Sequence, residues 1–235
     1  MGKVYITGDK HGSFNSFFRL NEQKVFSSDD ILIICGDASY VWNEDYPVRI
    51  ATLHQLFPGT AAFIDGNHEN FDILDRLPIE EWNGGKVHRV GIRTVHLMRG
   101  EIYDILGDRY FCFGGARYSA ILDQGRKGID WWDQEDPTEE ELTYGKTALM
   151  NALSSINYVI SHEPPAFARQ YTKRNKPMPE NYPLPYALEE WYYTIEKEPQ
   201  FKKWYFGHMH EDIIISDKLR GIYNHFVESG TENRL

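Results

Sequence analysis

Aspartate and histidine recur at five places in this chain: Asp9-Lys10-His11, Gly36-Asp37, Gly66-Asn67-His68-Glu69, Ser161-His162 and Gly207-His208-Met209-His210. Imidazole and carboxylate together form a donor set suited to Zn, Mn or Fe. Asp9 and His11 lie two residues apart, as do His208 and His210, and in an extended segment such pairs project to one side. The donors are too many for one tetrahedral ion. Two ions sharing a carboxylate satisfy the count, and Asp37 is the best candidate for the bridge. Paired ions about 3.5–4 Å apart clamp the attacking and leaving oxygens of phosphoryl transfer. Taken singly, each block also has an ordinary reading. Asp9 and Asp37 suit turns at strand ends, Gly66-Asn67 is a hairpin-turn dipeptide, and His162 before Glu163-Pro164-Pro165 suits a loop.

Each block follows an apolar segment that reads as a strand: residues 3–7, 30–35, 60–64, 158–161 and 204–206. The run Ile31-Leu32-Ile33-Ile34 has no polar alternation, the mark of a strand covered on both faces. Helices are expected between the strands. Residues 13–23 space Phe14, Phe17, Phe18 and Leu20 along one face. Residues 46–57 follow, then 71–77, closed by Pro78. Residues 139–153 form a long helix announced by Thr138 and Glu141, a capping-box pair. In sheets flanked by helices, ligand sites lie beyond the carboxyl ends of the strands, which is where the five blocks fall. Residues 86–90, 94–98, 101–105 and 109–113 are short runs between Gly-containing turns and predict an antiparallel meander. Residues 212–216 and 221–226 read as later strands. Two segments, 117–137 and 169–185, read as long loops near the predicted site; loops of that length are usually functional or mobile.

Composition excludes several classes. Of 235 residues 41% are hydrophobic, enough for a packed core without disulfide support. No apolar run approaches the ~20 residues of a spanning helix, so no membrane span is expected. The net charge of −10 disfavours strong nucleic-acid binding through the overall field. The two cysteines, Cys35 and Cys112, sit in apolar runs and read as buried free thiols. With no apolar signal segment at the start, a cytoplasmic location is expected. A single domain over residues 1–235 suits the length.

Taken in order, Asp9-x-His11, Gly36-Asp37, Gly66-Asn67-His68-Glu69, His162 and Gly207-His208-x-His210 resemble the calcineurin-like metallophosphoesterase superfamily. The resemblance implies an α/β fold, a four-layer α/β/β/α sandwich of two mixed sheets flanked by helices. It implies one divalent metal held by Asp9, His11, Asp37 and His210, and a second held by Asp37, Asn67, His162 and His208, with Mn, Fe or Zn as the ions. It implies that His68 acts on the leaving-group oxygen. The expected activity is hydrolysis of a phosphomonoester or phosphodiester, of a small or nucleotide-like substrate, by a hydroxide held between the metals. A Ser/Thr-type protein phosphatase and a non-catalytic metal-binding scaffold are the alternatives. Protein phosphatases of the superfamily carry Gly-Asp-x-x-Asp-Arg-Gly at the second block. This chain has Tyr40 and Val41 where that motif has Asp and Arg, so His68 lacks the usual orienting carboxylate; Glu69 and Asp65 are candidates to replace it. Gly114 to Ser119, Trp131 to Glu135 and Ser161 to Pro165 are similar to little-characterised bacterial and phage members.

Outside the blocks, Arg117 and Arg126 are candidates to grip a distal substrate phosphate. A solvated loop serves equally well for both. Trp131 and Trp132 read as loop anchors, with base stacking as the alternative. His54, His88, His96 and His225 have no ligand spacing, and the basic run from Lys173 to Lys176 reads as exposed.

Overall fold

The computed structural model describes residues 2–117, 125–174, 178–231 and 233–235. The first half alternates strand and helix as expected: β1 (Val4–Thr7), α1 (Asn15–Glu22), β2 (Ile31–Ile34), α2 (Tyr46–Leu56), β3 (Thr60–Phe63) and the single turn α3 (Phe71–Leu74). The next strands are β4 (Ile79–Trp82), β5 (Gly85–Gly91), β6 (Thr94–Leu97), β7 (Glu101–Ile105) and β8 (Asp108–Phe113). Then come α4 (Glu139–Ala152), β9 (Tyr158–Ser161), α5 (Leu184–Ile195) and β10 (Lys203–Phe206). The chain closes with β11 (Ile213–Ser216), β12 (Leu219–Gly221) and β13 (Val227–Glu228).

These strands form two mixed sheets. One runs β13-β1-β2-β3-β6-β5-β4 and the other β11-β12-β10-β9-β8-β7. The strands that lead into the five blocks are parallel: β1 with β2, β2 with β3, and β9 with β10. Their carboxyl ends therefore fall on one edge of each sheet. Side chains alternate faces along a strand, and here both faces are buried. In the first sheet Val4, Ile6, Ile33 and Ala62 face the second sheet. Tyr5, Leu32, Ile34, Ala61 and Phe63 face Phe17 and Leu20 of α1 and Ile50 and Leu53 of α2. In the second sheet Tyr110, Cys112, Tyr158, Ile160 and Tyr205 face inward. Phe111, Phe113, Val159, Trp204 and Phe206 pack on Leu149 of α4 and on Leu188 and Trp191 of α5. Three apolar cores between four layers make the α/β/β/α sandwich. Both cysteines are buried and free, as read from the sequence.

The structure departs from the sequence reading in the middle and near the end. Residues 86–113 do not form one meander. β5 and β6 pair antiparallel in the first sheet, and β7 and β8 pair antiparallel in the second. The chain changes sheets at Met98–Gly100, where Gly100 adopts a positive φ of 78°. A local pattern of short strands and glycines is the same whether a turn keeps the sheet or leaves it. β4, largely exposed, was not foreseen, because Ile79-Glu80-Glu81-Trp82 has no buried face to produce a pattern. Nor was α5, whose first turn holds Pro185, a residue tolerated there because its missing N–H is unpaired in any helix. Phe18 of α1 is half exposed, and only Phe17 and Leu20 reach the core. Residues 222–226 lie outside regular strands. The capping box at Thr138 and Glu141 is formed as expected: Glu141 N donates to Thr138 Oγ1 at 3.2 Å and Thr138 N to Glu141 at 2.8 Å. No helix among the described residues is long and apolar enough to cross a membrane.

Candidate metal centre

Five of the seven expected metal ligands stand in the left-handed backbone region. Asp9 has φ 46°, His11 45°, Asp37 49°, His208 63° and His210 49°. Residues with a Cβ enter that region rarely, and such strain collects at functional sites. Cross-loop hydrogen bonds hold it. Asp9 N donates to Gly36 O at 3.1 Å, His11 N to Asp37 O at 2.8 Å and Gly207 N to His162 O at 3.1 Å. Glycine lines the floor for lack of space. A Cβ on Gly66 would lie 2.1 Å from Asp37 Oδ1 and 2.7 Å from His162 Nε2.

The side chains converge. Asp9, His11, Asp37 and His210 each offer one donor atom, and the four atoms lie within 4.8 Å of one another. His11 Nε2 and His210 Nε2 are 3.0 Å apart, and His210 Nε2 is 3.4 Å from Asp9 Oδ1. A second group meets the first at Asp37. His162 Nε2 lies 3.3 Å from Asp37 Oδ1 and 3.3 Å from Asn67 Oδ1. His208 packs edge-on against His162, with ring centroids 5.1 Å apart. The structure thus brings Asn67, His162 and His208 to the other side of Asp37 from Asp9, His11 and His210.

Neighbouring groups aim these rings. His162 Nδ1 is 2.7 Å from the carbonyl of Cys35, which leaves Nε2 to face Asp37 and Asn67. Such a partner on the far nitrogen is the usual way to fix a ligating histidine. His208 faces Glu163 at 3.5 Å, and Glu163 is buried between Arg169 and the hydroxyl of Tyr182. The ring of Tyr223 stacks on His210, 4.9 Å away and within 4° of parallel. Glu163 and Tyr223 were not singled out from the sequence. Glu163 had a signal, since it follows His162 directly; Tyr223 had none.

The electrostatics suit cations. Burial lowers the pKa of His11, pushes His210 down to about 4 and takes His208 well below its ordinary value. Those imidazoles are neutral near pH 7, the form that ligates metal. Burial raises Asp9 to about 8, a carboxyl short of positive charge. Burial acts to raise Asp37 as well. The charge and hydrogen bond of His162, with help from His68 and His11, outweigh it and hold Asp37 below the usual carboxylate range. His162 in turn is raised to about 10, because Asp37 outweighs the effect of its own burial. A cation between these groups would take the place of that proton. Neutral imidazoles, buried carboxylates and one amide oxygen fit Mn, Fe or Zn.

The model of the calcineurin-like phosphoesterase family matches residues 2–212. The chain belongs to that family. Among solved structures it is similar to the crystal structure of TT1561 of Thermus thermophilus, with 11% identity, 96% of this chain and 93% of that one covered, and a TM-score of 0.48. No curated protein matches.

Within the candidate site, His68 stands at the mouth, edge-on to His11 at 5.1 Å between ring centroids and 6.2 Å from Trp42. Its backbone N–H donates to Asp37 Oδ1 at 2.8 Å, and its carbonyl accepts from Ser39 Oγ at 2.7 Å. The two carboxylates considered as its orienting partner are engaged elsewhere. Glu69 is buried and accepts from Ala38 N at 2.7 Å, tying the second block to the third. Asp65 is held by Arg99 at 2.6 Å and faces His96 at 3.3 Å. Tyr40 donates to Ser13 O at 2.9 Å and stacks on Phe14, so it braces the loop after His11.

The two arginines chosen from the sequence sit in different settings. Arg117 pairs with Asp136 at 2.5 Å, donates to the carbonyls of Glu180 and Asn181, and lies 4.7 Å over the ring of Tyr182. It is joined through Tyr182 and Glu163 to the back of His208. Arg126 is largely exposed and 3.4 Å from Asp130. Trp132 is buried against Trp42 with ring centroids 5.6 Å apart, a loop anchor, while Trp131 donates to Gly125 O at 3.0 Å. Tyr118 and Ser119 of the long loop, and Asn175 and Lys176 of the basic run, lie outside the described residues.

Proposed function

We propose that this chain is a dinuclear phosphoesterase that hydrolyses a phosphomonoester or phosphodiester of a small or nucleotide-like substrate, acting as one domain over residues 1–235. The observation that carries the proposal is the sharing of Asp37 between two converging donor sets on one edge of the sandwich. Asp9, His11, Asp37 and His210 would hold one divalent metal, and Asp37, Asn67, His162 and His208 the other. When bound, such metals acidify water and offset the charge that develops on the phosphoryl oxygens.

The protein groups do the rest. Water attacks phosphorus as the bond to the leaving oxygen breaks, and the proton that the water sheds passes to solvent, from which His68 is recharged. His68, beside His11 and open to the mouth of the site, gives a proton to that leaving oxygen. Asp37, through Oδ1, holds the backbone of His68 and thereby ties this acid to the ligand cluster. Trp42, backed by the buried Trp132, offers an aromatic face beside His68 suited to the apolar part of a leaving group. The protein-phosphatase alternative is weakened by the different use of the second block, where Tyr40 braces a loop and Val41 is buried. The test is metal analysis of the purified protein, followed by turnover of mono- and bis-nitrophenyl phosphate with added Mn. Two equivalents of metal with turnover of either ester support the proposal. Stoichiometric metal with no turnover of any phosphoester would favour the scaffold.

A further inference from the structure

Arg49 belongs to none of the sequence blocks, yet it reaches the site from the first turn of α2. With His11, Ser39, Trp42, Asn43 and His68 it lines a pocket of about 320 Å³. Its Nη2 donates to Gly12 O at 2.5 Å. Its Nε is buried with no hydrogen-bond partner, and among the described residues no carboxylate pairs with it. The guanidinium lies 5.6 Å over the ring of Phe14, which stacks on Tyr40 at 5.0 Å and 12°. Gly12, at φ +69°, leaves room for it: a Cβ there would sit 2.3 Å from Nη2. The fork is thus held in one place by a carbonyl, an aromatic stack and a glycine gap, while its charge is unpaired.

None of the residues lining the pocket is acidic, and two are histidines of the candidate site. A cationic pocket in a chain of net charge −10 selects an anion locally. A guanidinium fork matches two oxygens of a phosphate better than any other cationic side chain does.

We propose that Arg49 grips the phosphate dianion of the substrate in this pocket, beside His68. The ligand is a phosphomonoester, or inorganic phosphate after hydrolysis. The assignment rests on the phosphoesterase reading and specifies how that site holds its substrate.

The test compares Mn-loaded full-length wild type, Arg49→Met and Arg49→Gln. Titration calorimetry with inorganic phosphate reads binding without turnover, and KM and kcat for mono-nitrophenyl phosphate read substrate. Arg49→Met keeps the stem over Phe14. It should weaken phosphate binding and raise KM at least tenfold, with metal content and Tm unchanged. Arg49→Gln, which keeps a donor for Gly12 O, should do the same and carries the test if the Met variant fails to fold. Phosphate binding within twofold of wild type in the folded variant overturns the proposal. So does a fall in kcat with phosphate binding unchanged, which would make Arg49 a prop for the Gly12 loop. Wild type that binds phosphate through Arg49 but hydrolyses no ester would sink the phosphoesterase reading alone.

Discussion

Gly66→Ala adds one methyl group at a tight point of the candidate metal centre. Gly66 does not adopt a positive φ, so the substitution is a test of space and not of backbone strain. The new Cβ would lie 2.1 Å from Asp37 Oδ1, 2.6 Å from Asp37 N and 2.7 Å from His162 Nε2, where real Cβ atoms essentially never come within 3.0 Å. Close to an ångström of movement is required. The backbone nitrogen yields least, so the Asp37 carboxylate and the His162 ring must move. Overpacking of this kind costs about 1–3 kcal/mol of stability. Displacing a catalytic group by ~1 Å costs about a hundredfold in rate. Gly59→Ala is the matched control, since its Cβ would meet Asp30 O at 2.0 Å, far from the site. Both variants should lose stability in urea titrations. Only Gly66→Ala should lose metal by elemental analysis, and about a hundredfold in turnover per folded molecule. Full metal content and turnover within twofold of wild type in Gly66→Ala would refute the packing argument for a shared Asp37.

Asp37→Asn should lose both metals and all measurable turnover while keeping its circular dichroism spectrum, because the one shared carboxylate is removed; retained activity would take Asp37 out of the bridge. His68→Ala should slow turnover of mono-nitrophenyl phosphate by roughly a hundredfold at unchanged metal content, and loss of both metals would instead make His68 a ligand. Asp9 and His162, raised to about 8 and about 10, both carry protons at neutral pH in the metal-free protein. Metal uptake must displace those protons, so affinity should rise with pH from about 6 to about 8, with proton release measured by calorimetry in buffers of different ionisation heat; pH-independent affinity contradicts it. Arg99→Met removes the partner of Asp65, whose carboxyl is 1% exposed, and should cost about 3–5 kcal/mol in urea unfolding. Burial acts to raise Asp65, but Arg99 and His96 hold it below its unfolded value. Its stabilising contribution is therefore present above about pH 4 and lost as the pH falls further. A loss under about 1 kcal/mol would show that the pair contributes little.

The local sequence carried most of the candidate metal centre. Aspartate and histidine at strand ends, spaced by two and flanked by glycine, have few other joint explanations, and the apolar runs before them announce the strands. It carried the helix start at Thr138 as well, because a capping box is a contact between residues three apart. What it did not carry depends on contacts between distant segments. Whether residues 86–113 stay in one sheet or divide between two is decided at a turn whose residues look the same in either case. The positions of Glu163 behind His208, Tyr223 on His210 and Arg49 beside His68 arise when loops from opposite ends of the chain meet on one edge of the sandwich. Residue type and spacing determined which side chains are candidates for chemistry, since those are properties of the chain. Only the tertiary structure decided which side chains hold them in place, since orientation comes from packing and hydrogen bonds between segments far apart in sequence.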